Sequence, residues 1–193
     1  MLHASDAKPG TLPAAMVFQE RSLFPWMRVR ENVAFAFDRV TIAAVERDRR
    51  VDAQLALVGL TRFAQAYPHE LSGGMRRRVA VARAFAVEPQ VLFMDEPFGA
   101  LDEQTRVALG AELEKIWEAS RPTVLFVTHS IEEALALSDR VVVMSEAPGR
   151  VAETVDVPFA RPRDAIDLRA NPEFGTLSAR IWNRLRSSLI ERA

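Results

Sequence analysis

Cysteine is absent from the 193 residues. That excludes disulfides, thiolate catalysis and zinc sites built on thiolates. Histidine occurs only three times, at scattered positions, so no His-rich metal site is expected. Lysine is confined to Lys8 and Lys115, and arginine carries the rest of the positive charge. No apolar run approaches the roughly 18–20 residues needed to span a bilayer. The opening stretch, MLHASDAKPGTLPAA, has no apolar core of the kind a secretory signal carries. These lacks predict a protein made and kept in the cytosol, meeting a membrane only through a partner. The net charge is −1, so no global field draws the chain to nucleic acid or anionic lipid.

What is present fits one medium globular domain with a core: 49% of the residues are hydrophobic and 26% charged. Residues 1–15 are rich in Ala, Pro and small polar residues and read as an irregular lead. Met16–Phe18 is a short apolar run suited to a strand. Val29–Phe37 has mixed helical character. Val51, Leu55 and Val58 share one helical face, and Gly59 is placed to end that helix. Ser72 can cap a helix from about Gly74 to Val87. Its apolar face is Val79, Ala82, Ala86 and Val87.

Val91–Met94 and Thr123–Val127 are continuous apolar runs, the signature of strands buried on both faces. Between them, Leu109, Leu113, Ile116 and Trp117 mark a helix over Glu103–Ser120. Ile131–Leu137 reads as a short helix and Arg140–Met144 as a third strand. This alternation is an α/β layout with parallel strands. After Gly149 the chain turns Pro-rich. It closes on a helix over Glu173–Ile190, with Leu177, Ile181, Leu185 and Leu189 at four-residue spacing.

In parallel α/β sheets, ligands bind beyond the carboxyl ends of the strands. The polar residues there are Gln19, then Asp95 and Glu96, then His129. A carboxylate at a strand end can hold Mg²⁺ directly or through its waters. A neighbouring carboxylate can polarise an attacking water. The segment Leu71-Ser72-Gly73-Gly74-Met75 opens a helix, where glycines admit a close ligand and backbone N–H groups favour an anion. Taken singly, each of these also reads as a turn or a cap. Arg76-Arg77-Arg78 reads as a solvated face, and no nucleic-acid partner is expected.

Taken in order, these segments resemble the ABC ATPase family. LSGGM at 71–75 looks like the signature motif, VLFMDE at 91–96 like Walker B with its glutamate, and GALD at 99–102 like the D-loop. Gln19 looks like the Q-loop glutamine and His129 like the switch histidine. The resemblance implies a partial P-loop NTPase fold, a parallel sheet with helices plus a helical signature subdomain, and ATP and Mg²⁺ as ligands. It implies that Asp95 and Gln19 serve Mg²⁺, that Glu96 and His129 are catalytic, and that Ser72, Gly73, Gly74 and Asp102 bind nucleotide. The implied organisation is a lead at 1–15, a partial ATPase domain at 16–157 with its helical part at about 25–88, and a C-terminal extension at 158–193.

MVFQERSLFPWMRVRENVAF, MDEPFGALDEQTR and RVVVMSEAPGRV resemble the nitrate/sulfonate/taurine importer group more narrowly. That implies an ATP-hydrolysing subunit that energises solute uptake. Its partners would be a transmembrane permease, a second ATPase subunit and, indirectly, a periplasmic solute-binding protein. The protein would sit in the cytoplasm, peripheral on the inner face of the membrane. Phe24-Pro25-Trp26 would lie near the surface that receives the channel, or simply pack in the core. Met75 and Ser130 stand where relatives often carry Gln and Asp.

One family element is missing. A phosphate-binding loop reads G-x-x-x-x-G-K-[ST], and no such run occurs in the 193 residues. The sequence enters the family pattern just before Gln19. The strand that carries this loop is central in the family's sheet, so unpaired edges and bare apolar faces are expected beside its place. The alternative reading is therefore a non-catalytic interaction subunit, or an inert remnant, of such an ATPase. A DNA-repair or translation ATPase is disfavoured, since neither a long coiled-coil insertion nor a tandem cassette is present.

Overall fold

The computed structural model describes residues 10–19, 23–99 and 101–190, with side chains as far as Ser187. Ala100 and the Leu189 side chain fall outside the described residues. The chain forms two units, 1–127 and 128–193.

The first unit is built on a parallel sheet of order β1-β2-β3, from Ala14–Val17, Val91–Asp95 and Thr123–Val127. Met16 pairs with Phe93 and Phe93 with Leu125; one residue on, Val17 pairs with Met94 and Met94 with Phe126. Side chains alternate between faces, so these two rows lie on opposite sides. Val17, Leu92 and Met94 are buried on one side. On the other, Met16, Phe93, Leu125 and Val127 are exposed. The sequence predicts β2 and β3 to be buried on both faces. The structure corrects this: apolar composition supplies two buriable faces, but only one of them is covered. β3 pairs with β2 on one side, and among the described residues no strand pairs with its other edge.

Three helices pack on one another beside this sheet: α1 (Val29–Ala34), α2 (Ala44–Leu57) and α3 (Gly73–Ala86). Val51, Leu55 and Val58 of the α2 stripe are buried, as are Val79, Ala82, Ala86 and Val87 of the α3 stripe. Each buried valine or leucine among them stabilises the fold by about 1.5–3 kcal/mol. Gly59 stands at φ 67° and closes α2, with Leu60 N–H donating to Leu55 O at 2.8 Å. That left-handed C-terminal turn suits glycine. Asn32 is fully buried, and its amide ties the loop ahead of α1. It accepts from Phe24 N–H and donates to the carbonyls of Phe24, Met27 and Arg28. α4 (Glu103–Ser120) follows β2 and buries Leu109, Leu113 and Ile116.

The second unit holds α5 (Ile131–Leu137), β4 (Arg140–Met144), β5 (Val151–Asp156), α6 (Ala165–Arg169) and α7 (Pro172–Ile190). A second correction lies here. The third predicted strand, β4, pairs antiparallel with β5, with an irregularity between Val143 and Met144. The sequence carries no clear signal for β5, because Val151-Ala-Glu-Thr-Val-Asp156 mixes polar and apolar residues without a clean alternation. Leu135, Val141, Val143, Val155, Phe174 and Ile181 form the core of this unit. Arg163 is also buried in it. Its guanidinium donates to the carbonyls of Leu135, Ala136, Ser138 and Phe159, so it caps the end of α5 from inside. Among the described residues, no helix is long and apolar enough to cross a membrane.

Candidate functional site

Because β1 and β2 run parallel as neighbours, the chain leaves both strands at the same edge. Gln19 follows β1, and Asp95 and Glu96 end β2. The structure brings two of them into contact: Gln19 Nε2 donates to Glu96 Oε2 at 2.8 Å. Glu96 is held from its backbone as well. Its N–H donates to Val127 O of β3 at 2.9 Å, and its carbonyl accepts from Gly99 N–H at 3.1 Å. This turn puts Glu96 at φ 41°. It also brings Gly99 so close that a β-carbon there would stand 3.1 Å from Glu96 Oε2. The carboxylate is thus fixed by a strand, a tight turn and an amide. Asp95 is half-buried and pairs in register with Val127.

A second cluster forms where α3 and α4 begin. Ser72 caps α3, its Oγ accepting from Met75 N–H at 3.2 Å. The first turn of α3 carries no acidic side chain, and a β-carbon on Gly73 would meet nothing within 4 Å. Backbone N–H groups at a helix start such as this one favour an anion. Gly74 lies against Thr105 of α4. Asp102 caps α4 by accepting from Thr105 N–H at 3.0 Å and from the Thr105 hydroxyl at 2.7 Å. Those two bonds, the backbone one first, hold the Asp102 carboxyl below the usual aspartate value.

His129 belongs to the second unit, where it is exposed just ahead of α5. Its neighbours fix the local turn. Thr128 Oγ1 donates to Glu133 at 2.7 Å and accepts from Ser130 N–H at 3.0 Å, while Ser130 Oγ accepts from Glu133 N–H at 3.3 Å.

The arginine triplet is only in part the solvated face that its charge suggests: Arg76 is exposed, whereas Arg77 and Arg78 are half-buried. Arg76 donates to Leu71 O, and Arg78 pairs with Glu112 at 2.7 Å. Arg77 donates from Nη1 to Phe18 O and from Nη2 to Gln19 O, both at 2.6 Å. Its burial pulls the guanidinium below the ordinary arginine value. A signal for this exists in the sequence. Arg77 precedes Ala80, Val81 and Ala84 at helical spacing, and all three are buried. The aromatic pair ahead of α1 divides between its two readings. Phe24 packs on Phe35 at 4.5 Å and on Trp26 at 5.5 Å between ring centres, yet Trp26 itself is 69% exposed.

Among the described residues, no group of three or more His, Cys, Asp or Glu side chains converges as a metal cage. Asp95 and Gln19 instead offer the sparse oxygen donors that suit Mg²⁺ carried in by phosphates and water.

Residues 6–99 match the family model described as ABC transporter. The chain is 43% identical to an ABC transporter ATP-binding protein of Methanocaldococcus jannaschii, covering 99% of this chain and 70% of that protein. It is 47% identical to a taurine import ATP-binding protein of Rhizobium johnstonii, over 90% of this chain and 68% of the relative. A nitrate import ATP-binding protein of Synechococcus elongatus is also 47% identical, over 84% of this chain and 60% of the relative. The α/β fold, the paired Gln19 and Glu96, the capped helix at Ser72 and these likenesses converge: the chain belongs to the family of ABC transporter ATP-binding proteins.

Proposed function

We propose that the chain serves an importer of the nitrate/sulfonate/taurine type as an ATP-binding subunit, working from the cytoplasmic face beside a transmembrane permease and a second ATPase subunit. The reading rests on relatives whose names specify nitrate and taurine import. A periplasmic solute-binding protein would deliver the solute. Asp95 and Gln19 are the residues suited to Mg²⁺, which when bound would neutralise charge on the phosphates. Glu96 would accept a proton from, or polarise, an attacking water. His129 would meet the terminal phosphate. Ser72, Gly73 and Gly74 would bind nucleotide held by the second subunit, and Asp102 would keep the neighbouring turn in shape.

One observation carries the mechanism: the Gln19 amide on the Glu96 carboxylate at 2.8 Å. It puts a Mg²⁺-suited carboxamide and a candidate base within one hydrogen bond. A narrower reading gives this polypeptide only its Ser72 half-site on ATP held elsewhere, or docking without turnover.

The test mixes this chain with an intact relative whose own signature serine is replaced. ATP hydrolysis that appears on mixing, and is lost with Ser72→Arg, supports the half-site. No ATP-dependent association at any nucleotide concentration sinks it and leaves the non-catalytic role.

A further inference from the structure

We propose that Arg77 is a positioning residue: its guanidinium holds the backbone of Phe18 and Gln19 so that the Gln19 amide reaches Glu96. This rests on the roles given above to Gln19 and Glu96.

The strand ladder of β1 ends at Val17, which pairs with Met94. Phe18 and Gln19 lie past it, so their carbonyls have no ladder partner. Packing does not hold them either: Phe18 is 53% exposed, and Gln19 is exposed as well. Arg77 supplies both missing donors, its two terminal nitrogens reaching the two consecutive carbonyls at 2.6 Å each. Hydrogen bonds from a charged donor are roughly twice as strong as neutral ones, and the planar fork fixes direction as well as distance. A lysine, as a single point charge, cannot span both carbonyls in this way. Arg76 and Arg78 are already engaged with Leu71 and Glu112, so neither can take over.

The same side chain joins two parts of the candidate site. Arg77 stands five residues beyond Ser72, about 7.5 Å along the helix axis. From Ser72 the path runs along α3 to Arg77, then to the Gln19 backbone, then through the Gln19 amide to Glu96. A displacement at the start of α3 would therefore move the group that touches the carboxylate.

The test needs no nucleotide. In the full chain, the side-chain amide resonances of Gln19 should shift when Glu96→Ala removes their acceptor. In an Arg77→Met background, the same Glu96→Ala change should leave them unmoved, while methyl resonances of Val79 and Leu92 report an unchanged core. An Arg77→Lys background should give a reduced response, and it carries the test alone if Arg77→Met fails to fold. A Gln19 response as large in the Arg77 variants as in the parent overturns the proposal. So does the absence of any response in the parent. Failure of the mixed-subunit hydrolysis experiment leaves this readout untouched, so the two ideas fall separately.

Discussion

Gly74 faces the methyl group of Thr105: a β-carbon built on this glycine would stand 3.2 Å from Thr105 Cγ2. The helix that opens at Ser72 and the helix that opens at Asp102 therefore touch through a glycine and a methyl. Thr105 has little room to yield, because its hydroxyl and its N–H are both committed to Asp102.

Gly73→Ala and Gly74→Ala should consequently differ in sign. Gly73 has open space, so alanine there should stabilise by up to about 1 kcal/mol through lower chain entropy. Gly74→Ala should instead cost about 1 kcal/mol through overpacking. Thr105→Ser removes the methyl and keeps the bond to Asp102, so it should rescue Gly74→Ala. Urea denaturation of the four variants checks this, and equal effects at 73 and 74 would contradict the contact.

The Asp102 cap should be pH-dependent. Its carboxyl sits below the ordinary value of 3.8 because Thr105 donates to the charged form. The stability it contributes is thus fully present above the unfolded pKa and is lost as pH falls through the folded value. Asp102→Asn keeps the cap geometry without the charge. The difference in melting temperature between the two proteins should shrink on acidification through that range, and a constant difference would refute the assignment.

Arg163→Met should be among the most damaging single changes in the second unit. It removes a buried charge that serves the Leu135, Ala136, Ser138 and Phe159 carbonyls and lies 3.5 Å from Asp139. The expected loss is about 2–4 kcal/mol, since buried carbonyls lose their donor. Chemical denaturation followed by Trp182 fluorescence gives the number. A loss below about 1 kcal/mol would mean that water reaches those carbonyls.

The bare sheet face should make the isolated chain self-associate. Leu125 and Val127 are 55% and 49% exposed beside Phe93 and Met16, and contiguous apolar patches of this kind drive association. Leu125→Thr with Val127→Thr should lower the sedimentation-average mass while changing stability by less than about 0.5 kcal/mol each. Unchanged association would place the sticky surface elsewhere.

Much of this was legible beforehand, for a physical reason. Helix α4 obeys a single period, and the span that its apolar stripe marks in the sequence, Glu103–Ser120, is the span observed. Local signals suffice where every level points the same way. Gln19 and Glu96 were legible because strand ends collect polar residues at one edge. The exposure of Leu125 was not legible from its own strand, since an apolar run says a face can be buried, not that something covers it. Arg77 was hidden by its neighbours. Three identical charges read as one solvated block, although each guanidinium takes a different partner. β5 was hidden by composition, because its pairing with β4 is a tertiary fact.

The left-handed backbone at Glu96 sets stability against chemistry. A residue with a side chain gives up about 1 kcal/mol or more in that region, whereas glycine enters it freely. Any replacement that relaxes φ 41° also deletes the carboxylate. Variants of this chain sorted only for heat resistance should therefore drift to glycine at position 96, and they would become sturdier proteins by discarding the carboxylate that the Gln19 amide holds.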